Sequence, residues 1–544
     1  MSRFDDPDRR PDRVILSVCA LAAVALAARL VGLGARPFHW DEGRVGYWTL
    51  RYAATGAFEY RPVAGGPFLP IVNNHVFGLL GASDFSARLV VALLGGLFPL
   101  VALLFRGRLR DDETVVLAAF LAANPLLLYY SRAARGDLPL AVFGLLAVGC
   151  AVRAIDADDR RYLYGGAIAL GLALATSGFV VAYLACWTVA ALLVFDHARL
   201  RGDGPAVALS RLDRYARALR ARATPLARAF LLTVAVFVFF YAPRSREANA
   251  PDLWNPLTLP AVLDAALVGS VRTFYGVRVE YRVDHDFLTY VFDFLGFLAV
   301  GALALSAFAV VGVLVERYGR RSRPLVAFAT YWGAAALLVF PVVTEVSAPW
   351  VAVHAVAPLA VPAAVGGAVL LRFGASAVRR ESAANAGVAS LFLIAAVAQT
   401  GAVVSADVYG PQGSDTSLSH YAQPADDLRP LVDNASAAMA GNEGVDVLYV
   451  GESFYTSDEP GNDEPPVGDE WGERLPLPWY FERMDAETSS VQRPEDVAND
   501  AEFPPVVVAE PSHREELEPR LDGYEVAEYR LGLWNRTVVV FTRA

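Results

Sequence analysis

Apolar runs of roughly 20 residues recur along the 544-residue chain, each long enough for a helix to cross about 30 Å of hydrocarbon. Backbone crossing lipid must satisfy its own hydrogen bonds, which leaves a helical bundle as the fold for such runs. Apolar length and the charged breaks between runs predict spans near 14–33, 87–105, 114–130, 138–154, 162–177, 179–195, 229–243, 287–315, 325–343, 350–371 and 386–404. The expectation is a polytopic α-helical membrane protein of about 11 transmembrane helices. Only Thr176-Ser177-Gly178 divides 162–195, which reads equally well as a re-entrant pair. A mean hydropathy of +0.37, with 55% hydrophobic residues, excludes an ordinary soluble enzyme. The charged segment Met1–Arg13 precedes a run with no small-residue cleavage site, so an uncleaved first helix is expected.

Charge orients the bundle. None of the 47 basic residues is Lys, and the Arg residues concentrate in loops 106–113, 153–161, 196–228, 316–324 and 372–381. Short loops rich in positive charge stay on the cytoplasmic side. The N-terminus is therefore expected inside, with 34–86, 131–137, 244–286, 344–349 and everything from about 405 outside the cell membrane. Residues 1–404 form the expected transmembrane domain. Residues 405–544 hold 29 Asp and Glu against 9 Arg, with β-like runs at Val445–Val450, Val506–Ala509, Tyr524–Leu531 and Thr537–Thr542. This tail reads as a small extracytoplasmic α/β domain, with Ser457–Glu473 as an acidic surface loop and glycosylation sequons at Asn434 and Asn535. Its acidity suits a high-salt medium and equally an Arg-biased codon usage. Cys19, Cys150 and Cys186 fall in expected spans and read as buried structural thiols. The bilayer is the expected surrounding; nothing points to nucleic acid.

Chemistry concentrates just beyond the first run, at His39-Trp40-Asp41-Glu42 in the first external loop, 34–86. Asp41 is the candidate general base, a role that needs a carboxylate within reach of an acceptor hydroxyl; equally, it sits where an acid favours the start of a following helix. Between two closely spaced runs, Ser131–Asp137 must return to the same face. Its Arg132 and Arg135 suit a phosphate through fork-shaped donors, or anchor the interface, and Asp137 suits a helix start. The 244–286 loop adds Arg272, Arg278, Arg282 and Asp284-His285-Asp286, which suit a phosphate, a metal or a solvated loop. No metal or other cofactor is assigned from these residues.

At Phe38–Gly43 and the Arg132–Asp137 cluster, the chain resembles membrane glycosyltransferases of the GT-C fold, in particular the family 39 protein mannosyltransferase and RgtA/B/C/D-like group. It looks most like the archaeal flippase activity-associated members, which Thr344–Trp350, ending Ala348-Pro349-Trp350, and Leu475–Phe481 also resemble. The resemblance implies a catalytic external Asp, matched by Asp41, with Glu42 as its partner. It implies a polyprenyl (dolichyl) phosphate sugar as donor, a glycan or protein acceptor, and inversion in one displacement. A lipid carrier makes physical sense, since nucleotide sugars are cytoplasmic and an external site needs its activated sugar carried across. The leaving lipid phosphate would be steadied by Arg132, Arg135 or Arg272 without a metal, with His39 and Asp137 completing the substrate-binding set. The oligosaccharyltransferase branch usually carries Trp-Trp-Asp, absent from this chain. The alternative is a non-catalytic accessory or flippase-associated component, and Leu475–Phe481 reads as an acceptor-recognition element or as a hydrophobic anchor. A secondary transporter is disfavoured, because the charges cluster at span ends.

Overall fold

The computed structural model describes residues 12–62, 65–200, 213–214, 217, 219–247, 250–276, 285–319, 323–344, 346–411, 416–419, 422–457, 470–497, 502–533 and 536–544. Arg278, Arg282, Asp284, Asn535 and most of the acidic segment Ser457–Glu473 lie outside them.

The first half runs through α1 (Arg13–Leu30), α2 (Trp40–Thr55), α3 (Phe68–Leu80), α4 (Asp84–Leu97), α5 (Asp111–Ala123), α6 (Pro125–Tyr130), α7 (Asp137–Ala157), α8 (Arg160–Thr176) and α9 (Val180–Leu200). It continues through α10 (Ala223–Tyr241), a broken helical stretch Pro256–Tyr275, α11 (Phe287–Gly301), α12 (Leu303–Tyr318), α13 (Pro324–Val343), α14 (Pro349–Arg379) and α15 (Ala383–Val403). Among the described residues eight helices are long and apolar enough to span a membrane, or nine if the bent pair α11 and α12 counts as one span. The chain is a multi-pass membrane protein.

Several breaks depart from the apolar pattern, each for a local reason. The 114–130 run divides where Pro125 lacks an N–H; the Asn124 side chain accepts from Leu127 at 3.2 Å and donates to the Gly301 carbonyl at 3.2 Å. The 287–315 run bends by 103° at Ala302. Within 34–86, expected as a loop, lie two helices, and Pro256–Tyr275, also expected in a loop, is apolar and long enough to span. Cys19 is exposed, unlike Cys150 and Cys186, because α1 turns that flank away from the bundle. α14 is the core of the bundle, buried over most of its 31 residues despite Pro358 and Pro362 within it.

The tail holds α16 (Arg429–Met439), α17 (Leu477–Glu482) and a five-stranded sheet of order β2-β1-β3-β5-β4. Its strands are β1 (Val447–Val450), β2 (Thr488–Val491), β3 (Val506–Ala509), β4 (Tyr524–Arg530) and β5 (Thr537–Arg543). β1 pairs parallel with β2 and β3, whereas β5 runs antiparallel to β3 and β4. Four of the strands match the β-like runs; β2, partly exposed and rich in Ser and Thr, does not stand out in sequence. Asn434 is exposed on α16.

The tail docks on α2 through Leu475–Phe481. Trp479 stacks on Phe38 with ring centroids 4.7 Å apart, and its indole donates to Asp84 at 2.8 Å. The Tyr480 hydroxyl accepts from the Phe38 N–H at 3.0 Å and bonds Asp84 at 3.1 Å. Leu475, Leu477, Trp479, Tyr480 and Phe481 are buried, so of the two readings of this segment the anchor is the one realised. Trp471, too, is buried, and the Gly472 carbonyl accepts from the Trp40 indole at 2.7 Å, so the end of the acidic segment is docked as well. A Cβ on Gly46 would lie 2.5 Å from the Trp479 ring. Gly46→Ala is expected to cost about 1–3 kcal/mol of stability, read as a lower melting midpoint and faster proteolysis of the tail. An unchanged midpoint would mean that this contact yields freely.

Candidate functional site at the head of α2

Asp41 and Glu42 lie in the first turn of α2, and His39 caps it. The imidazole Nδ1 of His39 accepts from the Asp41 N–H at 3.1 Å, while Glu42 accepts from the His39 N–H at 3.0 Å. Two acids at a helix N-terminus are favoured by the exposed N–H groups there. Asp41 thus takes part in the helix start without being its cap.

The two neighbouring carboxylates have different surroundings. Glu42 is fully buried and accepts from Arg88 Nε and Nη2, both at 2.7 Å, from the Ala134 N–H at 2.7 Å and from Arg36 at 3.2 Å. Burial alone would raise its carboxyl; the guanidiniums of Arg88 and Arg36 reverse that and hold it at about 2. Arg88 also donates to the carbonyls of Leu33, Arg36 and Pro37, at 3.2, 2.8 and 3.2 Å, fixing the turn between α1 and α2. Glu42 therefore ties α2, α4 and the 131–136 connection together.

Asp41, 8% exposed, is close-paired with Arg135 and lies 3.4 Å from Arg44 Nη2 and 3.9 Å from His39 Nδ1. The Arg135 guanidinium carbon sits over the Trp350 ring, 4.0 Å from its centroid, and its Nε donates to Asp137 at 2.9 Å. Behind it Asp137 faces His354 Nε2 at 3.4 Å, and His354 Nδ1 meets the Tyr183 hydroxyl at 3.0 Å. A line of polar groups thus runs from Asp41 through Arg135, Asp137 and His354 to Tyr183, crossing α2, α7, α14 and α9.

Of the residues singled out in sequence, His39, Asp41, Glu42, Arg135 and Asp137 meet here. Arg132 does not. Its guanidinium donates to the carbonyls of Ala28, Arg29, Val31 and Gly32 at 2.6–3.2 Å, closing the C-terminal end of α1, and burial pulls its pKa down to about 10. Arg272 is exposed on Pro256–Tyr275, with no hydrogen bond or ion pair to this group among the described residues. His285 bonds the Pro341 carbonyl at 2.8 Å and Asp286 caps α11 through the Thr289 N–H at 2.7 Å, so both have structural partners. Among the described residues there is no group of three or more His, Cys, Asp or Glu placed to hold a metal.

Arg36, Arg44, Arg88, His354 and Tyr183 escape the sequence reading. The signal for Arg88 and His354 is an ionisable side chain set within an apolar run, where solvation is costly and a partner is required. Nothing local marks Arg36, Arg44 or Tyr183.

Residues 64–209 match the family model described as dolichyl-phosphate-mannose-protein mannosyltransferase, a segment that includes Arg88, Arg135 and Asp137. Residues 428–543 match the C-terminal domain of the Agl23 flippase-associated protein. Among solved structures, ArnT from Cupriavidus metallidurans in the apo state is similar at TM-score 0.61 and 16% identity, covering 97% of this chain and 98% of its own. The same protein bound to undecaprenyl phosphate is similar at TM-score 0.57 and 17% identity, over 96% and 97%. The oligosaccharyltransferase of Archaeoglobus fulgidus in the apo form follows at TM-score 0.54 and 14% identity, over 97% of this chain and 76% of that one. No curated protein matches the chain.

The fold is the GT-C fold of these solved structures, and residues 64–209 carry the mannosyltransferase family match. Residues 428–543, the tail domain, are related to the C-terminal domain of the Agl23 flippase-associated proteins.

Proposed function

We propose that the protein transfers a sugar from a polyprenyl phosphate, dolichyl phosphate in the narrower reading, to a glycan or protein acceptor at the external face of the cell membrane. The observation that carries it is Asp41, a barely exposed carboxylate held between the guanidiniums of Arg135 and Arg44. A carboxylate beside fork-shaped donors supplies what such a transfer needs, a base and a phosphate anchor. The mannosyltransferase match and the undecaprenyl phosphate in the ArnT structure point to the same donor chemistry.

In the proposed reaction the acceptor hydroxyl oxygen attacks the anomeric carbon and Asp41 takes its proton. The bond from that carbon to the phosphate oxygen breaks, and the electron pair leaves with the lipid phosphate. Arg135, fixed by Trp350 and Asp137, and Arg44 stabilise the charge that develops there. Arg135 pairs with Asp41 in the structure; in the proposed reaction the incoming phosphate competes for that guanidinium and frees the carboxylate to act. Glu42 does not react in this scheme, because its oxygens are engaged by Arg88, Arg36 and two backbone N–H groups; it is a positioning residue. The reading assigns no metal. The external location rests on the Arg-rich loops, from which the N-terminus is expected in the cytoplasm and the tail outside. A non-catalytic flippase-associated role is not favoured, since the mannosyltransferase match covers the residues around Arg135.

The test is transfer from a radiolabelled mannosyl polyprenyl phosphate by the purified full chain. Release of lipid phosphate with label passing to an acceptor supports the reading. Absence of donor turnover in a folded preparation overturns it.

A further inference from the structure

Beyond the head of α2 the same helix borders a cavity of about 170 Å³, among whose lining residues are Trp48, Arg51, Tyr52, Thr55, Glu59 and Arg61. Trp48 lies seven residues from Asp41, two turns of helix and about 10 Å along the axis, on nearly the same face. Tyr52 and Thr55, eleven and fourteen residues on, continue that stripe. The geometry points to a saccharide subsite, in which the acceptor seats a sugar unit in this cavity while a neighbouring hydroxyl reaches Asp41. The inference rests on the transferase reading above and adds to it the acceptor's chemical class.

Three features select a neutral polyol. Aromatic side chains receive the C–H face of a pyranose, and the few polar groups around them take its hydroxyls, the usual make-up of a small-molecule site. The cations are balanced: Glu59 shares the lining with Arg61, and Arg51 lies 3.6 Å from Glu482 of the docked tail, so the cavity is no anion trap. The Trp48 indole Nε1 is buried and has no hydrogen-bond partner among the described residues, a polar end of the same side chain that lines the cavity. Trp48 is at the same time held rigidly, with Arg61 4.0 Å over its ring and the Trp471 centroid 6.4 Å away. A rigid aromatic loses little entropy on binding.

Saturation-transfer NMR with mannobiose as the probe, on the purified full chain, reads the subsite directly. Transfer to the sugar ring protons is expected in the wild type, about tenfold weaker binding in Trp48→Ala, and recovery in Trp48→Tyr. Equal binding by wild type and a Trp48→Ala protein of unchanged melting midpoint, or no transfer in the wild type, overturns the proposal. Glu59→Gln, a change at the cavity wall alone, guards against misfolding of the Trp48 variant and is expected to weaken binding as well; unaltered binding there would count against the subsite. Cleavage of the mannosyl polyprenyl phosphate, followed on the same preparations, separates the two ideas. Absence of lipid phosphate release even with an acceptor present defeats the transferase reading, and weakened disaccharide binding with donor cleavage intact supports the subsite.

Discussion

Glu42→Gln is expected to lose about 3–5 kcal/mol of stability, the cost of leaving a buried charge without its partner. Arg88 is fully buried, and Glu42 is the acid that neutralises it, with Arg36 adding a second positive charge nearby. Gln keeps the shape and part of the hydrogen bonding but not the charge, so the guanidiniums repel in a poorly solvated space. Thermal melting of the purified protein checks this. A midpoint within about 1 kcal/mol of the wild type would show that water reaches Arg88. Replacing Arg88 with Met in the Glu42→Gln background is expected to recover part of the loss, since a charge-free pair no longer needs compensation.

The same group sets an acid limit. Its folded carboxyl, at about 2, lies below the ordinary 4.5, so its contribution is present in full above about pH 4.5 and is lost as pH falls through about 2. The difference corresponds to about 3 kcal/mol. Between wild type and Glu42→Gln, the gap in melting midpoint is expected to be widest near neutrality and to close on acidification; a gap that persists in acid would assign the loss to packing.

Asp41→Asn is expected to fold and to lower kcat by about 10²–10⁴-fold, the range a positioned general base supplies. The donor KM is expected to stay level or fall. Asp41 and the donor phosphate compete for Arg135, and the amide no longer holds that guanidinium by charge. Arg135→Gln is expected to do the reverse, raising the donor KM together with a loss of kcat, because the phosphate loses its anchor. Steady-state transfer across a donor series separates the two patterns. Retention of kcat in Asp41→Asn would remove Asp41 as the base.

The apolar runs were sufficient to predict a helical bundle, because hydrocarbon leaves the backbone no other way to satisfy its polar groups. They also located Asp41 and Glu42 beyond the first span, and the return of Ser131–Asp137 to the same face. Alternation in the tail predicted four of five strands. Breaks within runs, at Asn124–Pro125 and Ala302, were poorly legible, since apolarity is the same on both sides of them.

What sequence alone determined is therefore the class of fold and the neighbourhood of the site; the division of labour within it was decided in three dimensions. Asp41 and Glu42 are chemically alike and adjacent, and nothing local tells them apart. Glu42 became the structural acid because the fold carries Arg88, 46 positions away, against its side of α2, while Asp41 faces Arg135, 94 positions away. Arg132 and Arg135 diverge in the same manner, one closing α1 and the other lying on Trp350. A charge takes its role from the partner that shares its low-dielectric surroundings, and that partner is set by which helices pack together, a property of the whole bundle that no single stretch of residues encodes.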